Sequence, residues 1–112
     1  MDEATVEAKL TSLPQVSKNY PFEKGIAIYS YKTTMFALLE EGTKPVRLTL
    51  RCDATLAKLL REKYETVMSA DKLDKQVWNS LVLSGQLPDD EVDGLIRHAW
   101  EIAKQVQPSA KT

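Results

Sequence analysis

The sequence predicts an α+β fold of two layers, in which an antiparallel sheet of about five strands packs on three helices, in the order α-β3-α-β2-α. Segments with apolar residues at helical spacing alternate with groups of short segments rich in β-branched and aromatic residues. Residues 46–51 alternate between apolar and polar side chains, which is typical of a strand with one buried and one open face. The length of 112 residues, without an internal repeat or linker, indicates a single domain over residues 1–112.

A first helix is predicted over residues 2–13, because Val6, Leu10 and Leu13 recur at helical spacing. Pro14 ends this helix. The following connection, PQVSKNYPF, contains two prolines and is interpreted as a structural corner that holds the helix against the sheet.

The first group of strands is predicted to be antiparallel and covered by helices on one side only. Its strands are predicted at residues 26–31, 34–40 and 46–51, with turns at residues 32–33 and 41–45. In the third strand, Val46, Leu48 and Leu50 point to one face of the sheet. Arg47, Thr49 and Arg51 point to the other, open face.

Asp53 is a favourable N-cap for a second helix from Ala54 to about Tyr64. Its predicted apolar stripe consists of Leu56, Leu59, Leu60 and Tyr64. Two more strands are predicted at residues 66–73 and 78–83, and a last helix begins at Asp89. The predicted buried stripe of that helix consists of Val92, Leu95, Ile96, Ala99, Ala103 and Val106. Pro108 is expected to end it, and the residues from about 107 onward are expected to form a frayed tail.

The composition excludes several classes of function. A net charge of −1 gives no overall attraction to nucleic acid or to an anionic membrane, so such binding would require a local basic patch. No window is apolar enough to span a bilayer, and the first residues do not resemble a signal peptide. With one thiol and no export signal, the expected location is the cytoplasm, without a membrane partner.

Candidate catalytic chemistry is sparse. One cysteine, Cys52, and one histidine, His98, cannot form an internal disulfide or a typical zinc site. We expect Cys52 to be a buried, reduced hydrophobic residue, although a contact with His98 would leave a nucleophilic role open. The four glycines are isolated and form no phosphate-binding loop. The sequence therefore predicts no catalytic, cofactor-binding or metal-binding residues, no cofactor and no enzymatic activity.

The basic residues are concentrated in the middle of the chain. Between Lys44 and Lys75 there are eight basic and five acidic residues, whereas residues 89–101 carry a net charge of −4. Arg47 and Arg51 are predicted on the open sheet face, and Lys72, Lys75 and Trp78 lie around the second hairpin. Such a surface can bind phosphates and stack a base. The alternative is that the charges are merely solvated and that Trp78 closes the core.

Four short signatures carry a resemblance to a known family. They are SLPQVSKNYPF from Ser12, TMFALLEEG from Thr34, LTLRCD from Leu48, and VWNSLVLSGQLPDDEVDGLIRHAW from Val77 to Trp100. Together, over roughly residues 10–105, the chain resembles the MmcQ/YjbR family, small bacterial proteins described as candidate DNA-binding proteins. The resemblance implies the two-layer fold that this family shares with type III secretion chaperones.

The resemblance also implies a DNA site. Family members look like the DNA-binding domain of a phage transcription activator, in which an open saddle of sheet and loops contacts the duplex. The matching positions here are Arg47, Arg51, Lys72, Lys75 and Trp78. The run before the Trp-Asn pair departs from the family's His-Met-Asn-Lys pattern, and its Asp74 places a repelling charge near any phosphate.

Three hypotheses follow for the function. The first is a non-enzymatic DNA-binding module that uses the open, locally basic sheet face. The second is a protein-interaction adaptor of secretion-chaperone-like fold, for which we expect apolar residues such as Tyr29 and Tyr31 on the open face. The third is an enzyme or small-ligand binder, which requires a deep cavity lined by Trp78, Tyr31 and an acid whose pKa is shifted.

Overall fold

The computed structural model describes residues 1–106 and confirms the α+β architecture. The helices are α1 (Glu3–Thr11), α2 (Ala54–Lys63) and α3 (Asp89–Gln105). The strands are β1 (Val16–Asn19), β2 (Ile26–Tyr31), β3 (Thr34–Glu40), β4 (Val46–Arg51), β5 (Val67–Ser69) and β6 (Trp78–Leu83). They form one antiparallel sheet in the order β1-β2-β3-β4-β6-β5. The expected helix end at Pro108 and the expected tail lie outside the described residues.

The sheet has six strands rather than about five, because the segment interpreted as a corner contains β1. This strand is four residues long and includes Ser17, Lys18 and Asn19, none of which favours a strand by propensity. Its pairing with β2 places Lys18 opposite Tyr29. Tertiary pairing therefore outweighs a weak local preference.

The strand predicted at residues 66–73 is mostly wrong. Only Val67–Ser69 is extended and paired, and residues 70–77 form a loop. Asp74 makes the turn, because its carboxylate accepts a hydrogen bond from the backbone N–H of Gln76 at 3.0 Å. The Asp74 carbonyl also accepts from the N–H of Val77 at 3.2 Å.

The core lies between the three helices and one face of the sheet. The predicted stripe of α3 is confirmed except at Val106, which is exposed, while Trp100 is buried. In α2 the predicted stripe is wrong at Leu59, which is 55% exposed, and Ala57 is buried instead. None of the helices in residues 1–106 is long and apolar enough to cross a membrane.

The two tyrosines expected on the open face lie elsewhere, so that expectation is wrong. Tyr29 is fully buried in the core, and its hydroxyl has no hydrogen-bond partner among residues 1–106. Burial raises the pKa of Tyr29 to about 12. Tyr31 packs edge-on against Trp100, with the ring centroids 6.0 Å apart.

A candidate interaction groove on the open sheet face

The face of the sheet opposite the helices carries its own set of side chains. Register places Leu38 opposite Thr49 and Thr49 opposite Ser80. Because side chains alternate along each strand, these residues lie on one face of the sheet and the core residues lie on the other. The hydroxyls of Thr49 and Ser80 form a hydrogen bond of 2.9 Å across the two strands. These side chains form a continuous strip across the middle of the sheet, on the face opposite the helices, in which Leu38 and Ser80 are half-buried and Thr49 is buried.

Two loops rise beside this surface and make it concave. One is the β1–β2 loop, residues 20–25, and the other is the β5–β6 loop, residues 70–77. Together with the strands they enclose a pocket of about 510 Å³, here called the open-face groove. It is lined by Phe22, Glu23, Ile26, Leu38, Glu40, Arg47, Thr49, Ala70, Asp71, Lys72, Leu73 and Ser80.

The groove presents apolar surface on its floor and on both walls. Ile26 and Leu38 form half-buried parts of the floor, and Leu73 is half-buried on one wall. On the opposite wall, the Phe22 ring is 68% exposed, the highest value among the exposed large apolar residues of the described chain. An exposed aromatic side chain at the rim of an apolar concavity is typical of a binding surface.

The charges of the groove are mixed. Three acidic and two basic residues line it, and two of these, Glu40 and Arg47, face each other across β3 and β4 with 4.0 Å between Oε2 and Nε. Glu23, Asp71 and Lys72 make no ion pair with any other residue within the described part of the chain. The groove is consequently not a positively charged surface.

The five residues predicted to bind DNA are only partly brought together. Arg47 and Lys72 both line the groove. Arg51 and Trp78 are cross-strand partners at one end of β4 and β6, outside the groove lining. Trp78 is only 8% exposed, so stacking on a base would require its indole to leave this position. Lys75 is exposed on the wall loop.

Sequence reasoning missed the apolar residues that shape the groove. The sequence places Phe22 only in a structural corner, and it predicts strands at Ile26 and Leu38 without indicating which face these residues share. The YPF run was the available signal, because an aromatic residue after proline in a polar loop has no local packing partner. The opposing wall depends on contacts between residues about fifty positions apart, which no local pattern reveals.

The β5–β6 loop is anchored from the helical side of the sheet. Arg61 of α2 donates through Nη1 to the side-chain oxygen of Asn79 at 2.7 Å and to the carbonyl of Lys75 at 3.4 Å. The amide of Asn79 in turn donates to the carbonyl of Ala57 at 3.1 Å. These bonds tie one wall of the groove to α2.

The remaining candidates for chemistry lie on the other side of the sheet. Cys52 is buried as predicted, and desolvation raises the pKa of its thiol to about 11. The Nε2 of His98 accepts a hydrogen bond from the backbone N–H of Asp53 at 3.1 Å. Residues 1–106 contain no cluster of three or more His, Cys, Asp or Glu suited to a metal ion.

Comparison with known proteins identifies relatives of this chain. The YjbR family model matches residues 11–102. The protein named "Uncharacterized protein YjbR" in Escherichia coli strain K12 is 29% identical over 77 residues, which cover 69% of this chain. The same segment covers 65% of that relative, just under two thirds of its length. An identical match is found in Escherichia coli O157:H7.

Solved structures share the fold. The crystal structure of Deinococcus radiodurans protein DR2400, with a DUF419 domain, has a TM-score of 0.85 at 22% identity and covers 96% of this chain and 83% of its own. A Pseudomonas syringae protein gives a TM-score of 0.77 for its crystal structure, at 20% identity, covering 92% of this chain and 99% of its own. A solution NMR structure of a Pseudomonas syringae protein gives 0.75 at 18% identity, covering 100% and 98%.

Proposed function

Since this chain belongs to the YjbR family, whose fold here leaves one sheet face open, we propose that it is a non-enzymatic adaptor that binds a partner protein in the open-face groove. The observation that carries this proposal is the lining of the groove, which combines apolar surface on the floor and both walls with nearly balanced charges. Protein interfaces have this character, with an apolar centre, aromatic anchors and a polar rim. Phe22, exposed at the rim, is the natural anchor.

The same lining supports a protein partner over a nucleic acid. Affinity for DNA depends mainly on cations that neutralise phosphates. In the groove, Arg47 forms an ion pair with Glu40, which offsets its positive charge. Lys72 is the one further basic residue among the described lining residues. Glu23 and Asp71 would repel a phosphate backbone that entered between the walls.

Site-specific photocrosslinking in living cells tests the adaptor. A photoreactive phenylalanine analogue replaces Phe22 in one variant and Leu59 in a matched control. Leu59 is also an exposed apolar residue, but it lies on α2 in the helical layer. We expect a discrete protein adduct from position 22 only, and we expect the same adduct to be lost when Leu38→Lys places a charge on the groove floor.

The crosslinked protein, identified by mass spectrometry and purified, should then bind the wild-type chain in solution and bind the Leu38→Lys variant at least tenfold more weakly. Equal adducts from positions 22 and 59, or binding that ignores Leu38→Lys, would refute the groove as the binding surface. Thermal denaturation of Leu38→Lys in parallel verifies that the variant remains folded.

DNA binding is the second candidate function, favoured by one specific observation: Arg47 and Lys72 line the same groove, with Lys75 on the adjoining loop. A backbone-amide NMR titration with a mixed-sequence duplex at low salt tests it. Shifts on these residues and on Arg51 and Trp78 that fade at physiological salt would favour DNA. An unchanged spectrum at low salt, where phosphate contacts are strongest, would eliminate this candidate and leave the adaptor.

A further inference from the structure

From the shape and charge of the open-face groove we infer that its occupant is an amphipathic α-helix of the partner, with an apolar stripe flanked by Lys or Arg. This inference rests on the proposed adaptor function and specifies the partner element that the groove takes. Three properties of the groove lead to it: the backbone pairing of its floor, its width and its unpaired charges.

The backbone pairing of the floor disfavours an extended segment. The floor residues belong to β2, β3, β4 and β6, and each of these strands has a neighbouring strand on both sides, although β1 pairs only with residues 28–31 of β2. A peptide lying over the middle of this face, across β3, β4 and β6, would find no free strand edge, so its own N–H and C=O groups would be buried without partners. A helix satisfies its backbone internally and can therefore present side chains alone to the apolar floor.

The dimensions of the floor suit one helix. From β2 to β6 the floor spans three strand spacings, which is about 14 Å at the usual separation of neighbouring strands. A helix with its side chains is about 10–12 Å in diameter. The floor therefore accommodates a single helix, with its apolar stripe over Ile26 and Leu38 and its flanks beside Phe22 and Leu73.

The unpaired charges define the flanks of that helix. Glu23 stands on one wall and Asp71 on the other, and neither forms an ion pair within residues 1–106. Lys72 offers one opposite charge next to Asp71. Once Glu40 and Arg47 are paired with each other, the three remaining charged lining residues carry a net charge of −1. A basic residue on each side of the apolar stripe complements both walls.

Synthetic peptides of about 18 residues, long enough to be helical in an Ala-rich background, test this inference. The first carries Leu at i, i+3, i+7 and i+11 with Lys on both flanks. A second has the same composition, but its Leu residues are distributed around the helix. A third replaces Lys by Glu, and a fourth contains prolines that prevent helix formation. Calorimetry gives the affinities, and amide NMR shifts locate the binding surface.

We expect the first peptide to bind at least tenfold more tightly than each of the others, with shifts confined to β2, β3, β4, β6 and the two wall loops. The double variant Glu23→Lys/Asp71→Lys should weaken this binding about tenfold and should favour the Glu-flanked peptide. The matched control is Glu62→Lys/Glu65→Lys, which makes the same charge change at exposed positions away from the groove and should leave the affinity unchanged.

Equal binding of the proline-containing or stripe-scrambled peptide would overturn the helical occupant, as would shifts on the helical layer. Equal binding of the Lys- and Glu-flanked peptides would overturn the basic flanks. These failures are distinguishable from failure of the adaptor function. If the partner crosslinked at position 22 docks through an extended segment, the helical occupant is refuted but the adaptor function is not. If no groove-dependent crosslink forms, both the helical occupant and the adaptor function are refuted.

Discussion

Arg61 on helix α2 donates a hydrogen bond of 2.7 Å to the side-chain oxygen of Asn79 on strand β6. Asn79 is 1% exposed, so this bond brings a guanidinium to a buried amide at the boundary between the helical layer and the sheet. The same guanidinium nitrogen reaches the carbonyl of Lys75, on the loop that forms one wall of the open-face groove. One guanidinium group therefore links a buried residue of the sheet to the wall of the groove.

Replacement of Asn79 by Ala should destabilise the protein by about 3 kcal/mol, because the change removes two hydrogen bonds from a buried site and leaves a small cavity. Urea denaturation followed by circular dichroism measures the loss. Lys58→Ala is the matched control, since Lys58 is an exposed residue on the same helix as Arg61 and should change stability by less than about 0.5 kcal/mol. Similar losses for both variants would show that the Asn79 bonds contribute little.

The protein should lose stability as the pH rises from about 9 to 11. Burial raises the pKa of the Cys52 thiol from 9.0 to about 11, so the folded state keeps a proton that the unfolded state releases in this window. Cys52 should lower the free energy of unfolding by about 2–3 kcal/mol over this pH range. Tyr29, with its pKa raised to about 12, should lower it further near pH 11.

Urea denaturation of the wild type and of Cys52→Ala, at about pH 8 and about pH 10.5, measures this linkage. The variant is expected to be less stable at the lower pH, because it loses buried volume. Its further loss on raising the pH should be smaller than that of the wild type. Equal alkaline losses in the two proteins would contradict the assignment of the effect to the thiol.

Much of the architecture was predictable because it follows from periodicity. The alternation along β4 correctly assigned Leu48 and Leu50 to the core face and Arg47 to the open face. The spacing of Val92, Leu95, Ile96 and Ala99 likewise identified the buried side of α3. Local spacing determines which side chains share a face, and burial of an apolar face follows from it.

The groove was not predictable, because its walls and register depend on contacts between distant segments. Thr49 is buried although it lies on the open face, since it is bonded to Ser80 and covered beside the β5–β6 loop. Phe22 meets that surface only after β1 pairs with β2, and β1 itself has little local preference for a strand. Arg47 and Arg51 lie on the strand predicted for them, whereas Lys72 lies in the β5–β6 loop rather than on a strand, and the acid that faces Arg47 comes from β3.

Lys18 should hold the edge strand β1 against the rest of the molecule. Its ammonium contacts the carboxylate of Glu7 and lies 3.4 Å from that of Glu41, which also accepts a hydrogen bond of 2.5 Å from the Tyr20 hydroxyl. In Lys18→Met the two carboxylates lose the cation that lies between them. The free energy of local opening of β1 should fall by about 1 kcal/mol. Hydrogen exchange by NMR should then show about fivefold less protection in β1, with β4 and β6 unchanged.

Lys24→Met provides the control for this experiment, because Lys24 is an exposed lysine in the neighbouring loop without an ion pair inside residues 1–106. It should leave the protection of β1 as it is in the wild type. High salt should also reduce the difference between wild type and Lys18→Met, since the contacts are partly exposed. Uniform loss of protection across the sheet would instead indicate global destabilisation.

The two tryptophans, although both buried, should differ in their contribution to stability. The indole Nε1 of Trp100 donates to the carbonyl of Pro14 at 3.1 Å, and the Lys104 ammonium lies 4.2 Å from the ring centroid. Trp100→Phe should therefore cost about 2 kcal/mol, from a lost hydrogen bond, a weaker cation–π contact and lost volume. Trp78→Phe also loses volume, but within residues 1–106 the Trp78 indole makes no comparable hydrogen bond, so this change should destabilise the protein less, as measured by urea denaturation. Equal losses of stability in the two variants would show that the hydrogen bond from Trp100 to Pro14 contributes little to holding α3 against the segment between α1 and β1.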